Sequence, residues 1–214
     1  MALAQTNRAA QEVNIAEPEV RARKFTREEY YRAAEQGVFG ADEHLELIAG
    51  EIIEHVSPHR TPHITSIFLA QHALEPLIAN RADAHIRVQG PIHLPSSSEP
   101  EPDLVVAKGS IRDYDTDHPT QDDLLLVVEI ALTSLAYDSG RKASLYASVG
   151  ISDYWIVNLV DRRLEINRSP GKMPGSEFGY AYRSVTLCNE DEEAAPLCAS
   201  TSPVKVADLL PSAG

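Results

Sequence analysis

Glu129 stands inside a strand-like run of six apolar residues, Leu124-Leu125-Leu126-Val127-Val128-Glu129-Ile130. An uninterrupted apolar run of this length predicts a strand covered on both faces. An ionised carboxylate there is costly unless a cation or metal pairs with it. Pro102-Asp103-Leu104-Val105-Val106 repeats the arrangement, with an acid at the mouth of a second apolar strand. Lys142 opens a short predicted helix, and its i+3, i+4 and i+7 positions are Leu145, Tyr146 and Val149. That apolar stripe turns Lys142 toward the sheet, with Arg141 pointing elsewhere. A cation in a first helical turn also opposes the helix dipole. Two local disadvantages at one residue call for a compensating partner, and Glu129 is the natural one.

Two oxygen-donor acids meeting at one sheet edge, with water and substrate completing the shell, suit Mg²⁺ (or Mn²⁺). Such an ion polarises a phosphoryl oxygen and lowers the pKa of an attacking water. Lys142 would orient that water or stabilise the developing oxyanion. The same residues also fit a purely structural arrangement, a buried Glu129–Lys142 pair with Asp103 as a turn or cap residue. The residues alone leave both readings open. All histidines fall between His44 and His118. Of these, His63 shares a helical face with Ile67, Ala70 and Leu74, which puts it at the end of the core face near the site. Core or surface packing is its default role. Glu51, just after Gly50, is read as solvent-facing or paired, with a third acid as the lesser alternative. Tyr154 and Trp155 read as core packing on a strand.

These residues need a scaffold, and the chain is long enough for one. At 214 residues it suits one domain with a substantial core. Residues 1 to about 23 show no period and predict a mobile tail. Thr26-Arg27-Glu28-Glu29 has the capping-box form, predicting a helix from Arg27 to Gly37. His44–Ile48 and Glu51–Val56 flank Ala49-Gly50 as a tight hairpin, and Ser57-Pro58 breaks its second strand. From Pro62 to about Ile78, Ile64, Ile67, Phe68, Leu74, Leu77 and Ile78 recur at helical spacing. Strands follow over 84–89, over 91–94, at Asp103 and at Glu129. A helix over 139–149 is capped by Asp138 or Ser139 and stopped by Gly150. A second hairpin turns at Asp161-Arg162. The expected fold is α/β (α+β), a central mixed β-sheet flanked by helices. The expected domain spans 24–170, with strands of 171–214 packed on it.

Composition narrows the function. The net charge of −13, from 19 basic against 32 acidic residues, opposes any general affinity for nucleic acid. A polyanion must therefore meet a local basic patch or a bound metal. No segment approaches the ~20 apolar residues a membrane helix needs. The start lacks the pattern of a secretory signal, and Cys188 and Cys198 have neither metal nor redox spacing. A reducing cytoplasm is the expected compartment.

In order along the chain, Glu46-Leu47-Ile48-Ala49-Gly50-Glu51-Ile52-Ile53, Ser57-Pro58 and His63 resemble the opening of the Uma2 family, also called DUF820. Glu99-Pro100-Glu101-Pro102-Asp103-Leu104 matches that family's most recognisable block. Val127–Ile130, Gly140–Tyr146 and Tyr154–Val157 continue it. The likeness spans roughly residues 25 to 170. Uma2 proteins are regarded as members of the PD-(D/E)XK nuclease superfamily, with the restriction-endonuclease-like fold. The resemblance implies that Pro102-Asp103 is the "PD" pair and Glu129 the second acid. Ala131 stands where the lysine of the pattern would be, so that role shifts to Lys142. Glu51, His63 and Glu101 fall in family-typical blocks as accessory site candidates.

The function so implied is a Mg²⁺-dependent endonuclease hydrolysing phosphodiester bonds in DNA. Arg21, Arg23, Lys24, Arg27 and Arg141 are its candidate basic contacts. The alternatives are a binding or regulatory module that keeps the fold without turnover, as a homodimer, and a metal-dependent hydrolase of a smaller phosphate ester.

Overall fold

In the computed structural model, which describes residues 21–40, 42–55, 60–79, 81 and 83–213, local sequence signals fix most elements where they were expected. The Glu29 N–H donates to Thr26 Oγ1 at 3.2 Å and the Thr26 N–H to Glu29 Oε2 at 3.1 Å. This reciprocal cap starts α1 (Arg27–Glu35). β1 (Leu45–Ile48) and β2 (Glu51–Glu54) pair antiparallel across Ala49 and Gly50, whose φ values are 50° and 79°. Both central residues are left-handed, as a two-residue hairpin turn demands. A Cβ at Gly50 would lie 2.7 Å from Lys24 Cβ and 2.9 Å from the Phe25 carbonyl oxygen, so side chains are excluded there. The expectations for residues 1–23 and for Ser57-Pro58 fall mostly or wholly outside the described residues.

α2 (Thr61–Ile78) buries Ser66, Ile67, Ala70, Leu74 and Ile78. Ile64 and Phe68, expected on the same stripe, are 40% and 65% exposed. The buried face follows the i, i+4 row from Ser66 and Ala70, and those two positions are rotated off it. Residues 91–94 make only isolated bridges, His93 with Thr120 and Leu94 with Ser98. Pro91 and Pro95 lack the N–H groups that a ladder needs.

The main sheet has six strands in the order β3 (Ala84–Val88), β4 (Leu104–Lys108), β5 (Leu124–Ala131), β6 (Asp153–Asn158), β7 (Arg163–Lys172) and β8 (Tyr180–Asn189). Only β5 and β6 are parallel, which makes the sheet mixed. A parallel neighbour needs a crossover, and residues 132–152 supply one. It contains α3 (Leu135–Tyr137), a wide turn over Asp138–Lys142, and α4 (Ala143–Ser148). Gly150, at φ 82°, closes it.

Each face of the sheet carries its own core. One packs Ile67, Leu74 and Ile78 of α2 with Trp155, Leu164, Val206 and Leu209. The other packs Leu145 and Tyr146 of α4 with Val105, Val127, Tyr154, Ile156 and Ile48 of β1. β9 (Glu193–Ala194) and β10 (Val204–Lys205) form a separate small ladder. The strand β8, beyond residue 170, is a full member of the main sheet.

Candidate active site

Register brings the two acids together. Leu104 pairs with Val128, so Asp103, one step beyond β4, falls opposite Glu129 on β5. Directly opposed residues of an antiparallel pair share a face, here the face that α3 and α4 cover. Asp103 Oδ2 accepts the Ile130 N–H at 2.8 Å, which anchors the carboxylate to the neighbouring strand. It also lies 3.2 Å from His63 Nε2 at the start of α2.

Lys142 reaches the same point from the crossover. Its ammonium donates to Glu129 Oε1 at 2.9 Å and lies 2.8 Å from Glu46 Oε1 on β1. Tyr146, one turn on, donates its hydroxyl to the same Glu129 oxygen at 2.8 Å. Lys142, Glu129 and Glu46 are 3%, 4% and 3% exposed, so all three charges are withdrawn from bulk water. The helix over 139–149 begins earlier than expected, at Leu135. Asp138 is not its cap but a buried member of the site, taking the Ser134 hydroxyl at 2.6 Å. The wide turn, in which the Ala143 N–H bonds to Asp138 and Gly140 carbonyls, lets Asp138 and Lys142 both face inward. Such turns inside helices concentrate at functional sites.

Tyr146 is buried behind Glu129, and Glu46, His63, Asp103, Glu129, Asp138 and Lys142 line a cavity of about 360 Å³. Its charged lining is Glu46, Glu54, Glu101, Asp103, Glu129 and Asp138 against Arg60 and Lys142, a clear anionic surplus. Burial pushes the Glu129 carboxyl well above its ordinary range, with Lys142 only partly opposing. Burial likewise raises Asp138 and Glu101, each aided by neighbouring carboxylates. Burial alone would lower the Lys142 ammonium, but Glu129, Glu46 and Asp138 outweigh it and hold the lysine charged. The His63 imidazole, disfavoured as a cation by burial, is raised by Asp103.

Glu46 behaves oppositely. Burial would raise it, but Lys142 and the 2.8 Å contact to His55 Nε2 overcome that and bring it to about 2 from 4.5. Its folded pKa is depressed, so the unfolded chain binds more protons between those values, and stability falls as pH drops through that window. A fall of roughly 3 kcal/mol is expected from this group. Acid unfolding titrations of wild type and Glu46→Gln should therefore converge toward pH 2. Parallel curves would remove Glu46 from the account.

Asp103, Glu129, Lys142, His63 and Glu101 all line the one cavity, whereas Glu51 does not. Glu51 is exposed beside the hairpin turn, bound to Arg141 at 2.6 Å and Lys24 at 3.6 Å. By register Glu51, opposite Ile48, shares the face of Glu46 and Ile53, but it stands at the turn end of that face, where Arg141 and Lys24 hold it away from the cavity. Arg141, offered as a basic contact, is clamped between Glu51 and Glu177. Glu46, Asp138 and Tyr146 were missed. Glu46 carried the same signal as Glu129, an acid inside an apolar strand.

The donor set can be tested against a divalent ion. Among the described residues, no three His, Cys, Asp or Glu side chains are arranged to hold a metal unaided. Asp103 commits Oδ2 and Glu129 commits Oε1, leaving Oδ1 and Oε2 without a hydrogen bond from described residues. Two free carboxylate oxygens, a roomy cavity and surplus negative charge fit an ion that retains water, as Mg²⁺ does.

A family model named Uma2, described as "Putative restriction endonuclease", matches residues 27–198. No curated protein matches the chain. Among solved structures, the fold is similar to a crystal structure described as "a putative nuclease belonging to DUF820" from Anabaena variabilis ATCC 29413. The TM-score is 0.60 at 14% identity, covering 86% of this chain and 97% of that one. A likeness at this identity speaks for the fold alone. No helix among the described residues is long and apolar enough to cross a membrane.

Proposed function

This chain belongs to the Uma2 family, and from that premise we propose that it is a divalent-metal-dependent endonuclease hydrolysing phosphodiester bonds in DNA. The observation that carries the reading is the convergence of Asp103, Glu129 and Lys142 on one anionic cavity. Asp103 and Glu129 would hold Mg²⁺ or Mn²⁺ through their uncommitted oxygens. The ion supplies Lewis acidity at a phosphoryl oxygen and a more acidic water.

The chain's own residues do the rest. The Ile130 N–H and His63 fix the Asp103 carboxylate, while Lys142 and Tyr146 fix that of Glu129. Lys142 acts as a permanently charged group beside the reacting phosphate, stabilising negative charge as it develops. It does not act as a base, because three carboxylates hold its proton. Arg60, exposed at the rim and joined to no described carboxylate, is placed to meet a substrate phosphate.

Purified protein should nick supercoiled plasmid with Mg²⁺ or Mn²⁺ and stop with EDTA. Plasmid left intact by every divalent ion, with no calorimetric metal binding in the presence of DNA, would sink the endonuclease reading.

A smaller phosphate ester is the second reading, favoured by the state of the surface cations. Arg23 pairs with Glu29, Lys24 with Glu51, Arg27 with Glu99 and Asp117, and Arg141 with Glu51 and Glu177. Cations already neutralised displace few counterions from a long polyanion. A panel of plasmid, oligonucleotide and small phosphodiester at one metal concentration separates the two.

A further inference from the structure

The two edges of the six-stranded sheet are unlike. β3 is five residues long and half-buried throughout. β8 is ten residues long, and Arg183, Ser184, Val185, Thr186 and Leu187 are consecutively exposed on it. Among the described residues, β8 is bonded along one side only, to β7.

Proteins usually blunt a long edge with proline, a projecting charge or a cover. β8 contains no proline and no acid, and its one charge, Arg183, is folded back. A Cβ built on Gly171 of β7 would meet Arg183 Nε at 2.5 Å, which shows the guanidinium lying over its neighbour strand. What remains along the edge is Ser-Val-Thr-Leu, strand-favouring and uncharged. Val185 and Leu187 are 54% and 49% exposed on one face.

We infer that β8 is a self-pairing edge, joining two copies of this chain antiparallel about Val185 into one continuous sheet. The occupant is a second copy because the segment is complementary to itself. Val185 meets the partner's Val185, Ser184 meets the partner's Thr186, and Leu187 meets the partner's Arg183. No like charges face each other. In a chain of net charge −13, two copies repel least along a strand that carries no carboxylate. The pairing is isologous and closes at two copies. An edge-only interface stands near the lower size limit for specific association, about 1,000 Å² in total, among the weak and transient contacts. This inference does not depend on the nuclease reading, and its test measures assembly alone.

Sedimentation velocity of the full chain over about 1 to 200 µM should show a concentration-dependent monomer–dimer equilibrium. Val185→Glu and Val185→Lys each set like charges face to face on the symmetry axis and should each weaken the dimer at least about tenfold. Circular dichroism and thermal melting check that both variants fold, which the exposure of Val185 favours. Mixed in equal amounts, the two variants should dimerise again, because opposite charges then meet. A wild type that stays monomeric overturns the pairing, as does a dimer indifferent to Val185→Glu. A mixture that fails to recover removes the antiparallel register, and an edge protected from amide exchange in the monomer assigns it to another occupant.

Discussion

Asp103→Asn is expected to lower metal-dependent strand cleavage by at least about 10²-fold while leaving the fold in place. The amide keeps the shape of the side chain and can still accept the Ile130 N–H that now bonds at 2.8 Å. It removes one of the two negative charges offered to the ion and exchanges a carboxylate oxygen for a far weaker ligand. Stability should change by about 1 kcal/mol or less, because the buried acceptor is preserved. The measurement pairs plasmid nicking with Mn²⁺ affinity by calorimetry. Loss of cleavage together with a weakened Mn²⁺ isotherm fits a metal ligand. Full cleavage by Asp103→Asn would move the chemistry elsewhere on the molecule.

Lys142→Met should destabilise the protein by about 3 to 5 kcal/mol, the usual result of removing one partner from a buried ionic cluster. Glu129 and Glu46 are 4% and 3% exposed, and the ammonium is shared between them at 2.9 and 2.8 Å. Without it, one carboxylate must take up a proton and the other loses its main counter-charge. Methionine fills most of the volume, so lost packing contributes little. The triple variant Glu46→Gln, Glu129→Gln, Lys142→Met removes the charges together and should recover most of the loss, since neutralising a whole cluster is often close to neutral. Denaturant midpoints of the single and triple variants decide this. A single-variant loss under about 1 kcal/mol would mean that water reaches the cluster freely and that the lysine is not structural.

Both results follow from one arrangement. A cluster that holds a lysine charged against surplus carboxylate is stabilising only while every member is present. It also stays short of positive charge, as the raised Glu129, Asp138 and Glu101 carboxyls show. A divalent ion relieves that shortage, so cation binding and stability should be linked in the same direction.

Much of this was legible in the linear chain because its causes are local. The Thr26–Glu29 cap, the Ala49-Gly50 turn and the Gly150 stop each rest on contacts or dihedral angles within a few residues. The Glu129–Lys142 pair was legible for a different reason. An acid inside an apolar strand and a lysine on an apolar helical stripe each require a partner, and a short crossover brings them together. Periodicity failed at Ile64 and Phe68, where spacing gives the helix but not its rotation against the sheet. It failed again at Asp138, where a single wide turn changes the phase of the helix.

The sequence by itself determined most of the strands and helices before residue 170, the acids at the ends of β4 and β5, and the inward direction of Lys142. These depend on neighbours in the chain. Only the tertiary structure decided that the β1–β2 hairpin folds over the cavity, that Glu46 rather than Glu51 faces Lys142, and that Asp138 and Tyr146 join the site. Those contacts join residues up to about a hundred positions apart, and their energy comes from desolvated charges that no local pattern records.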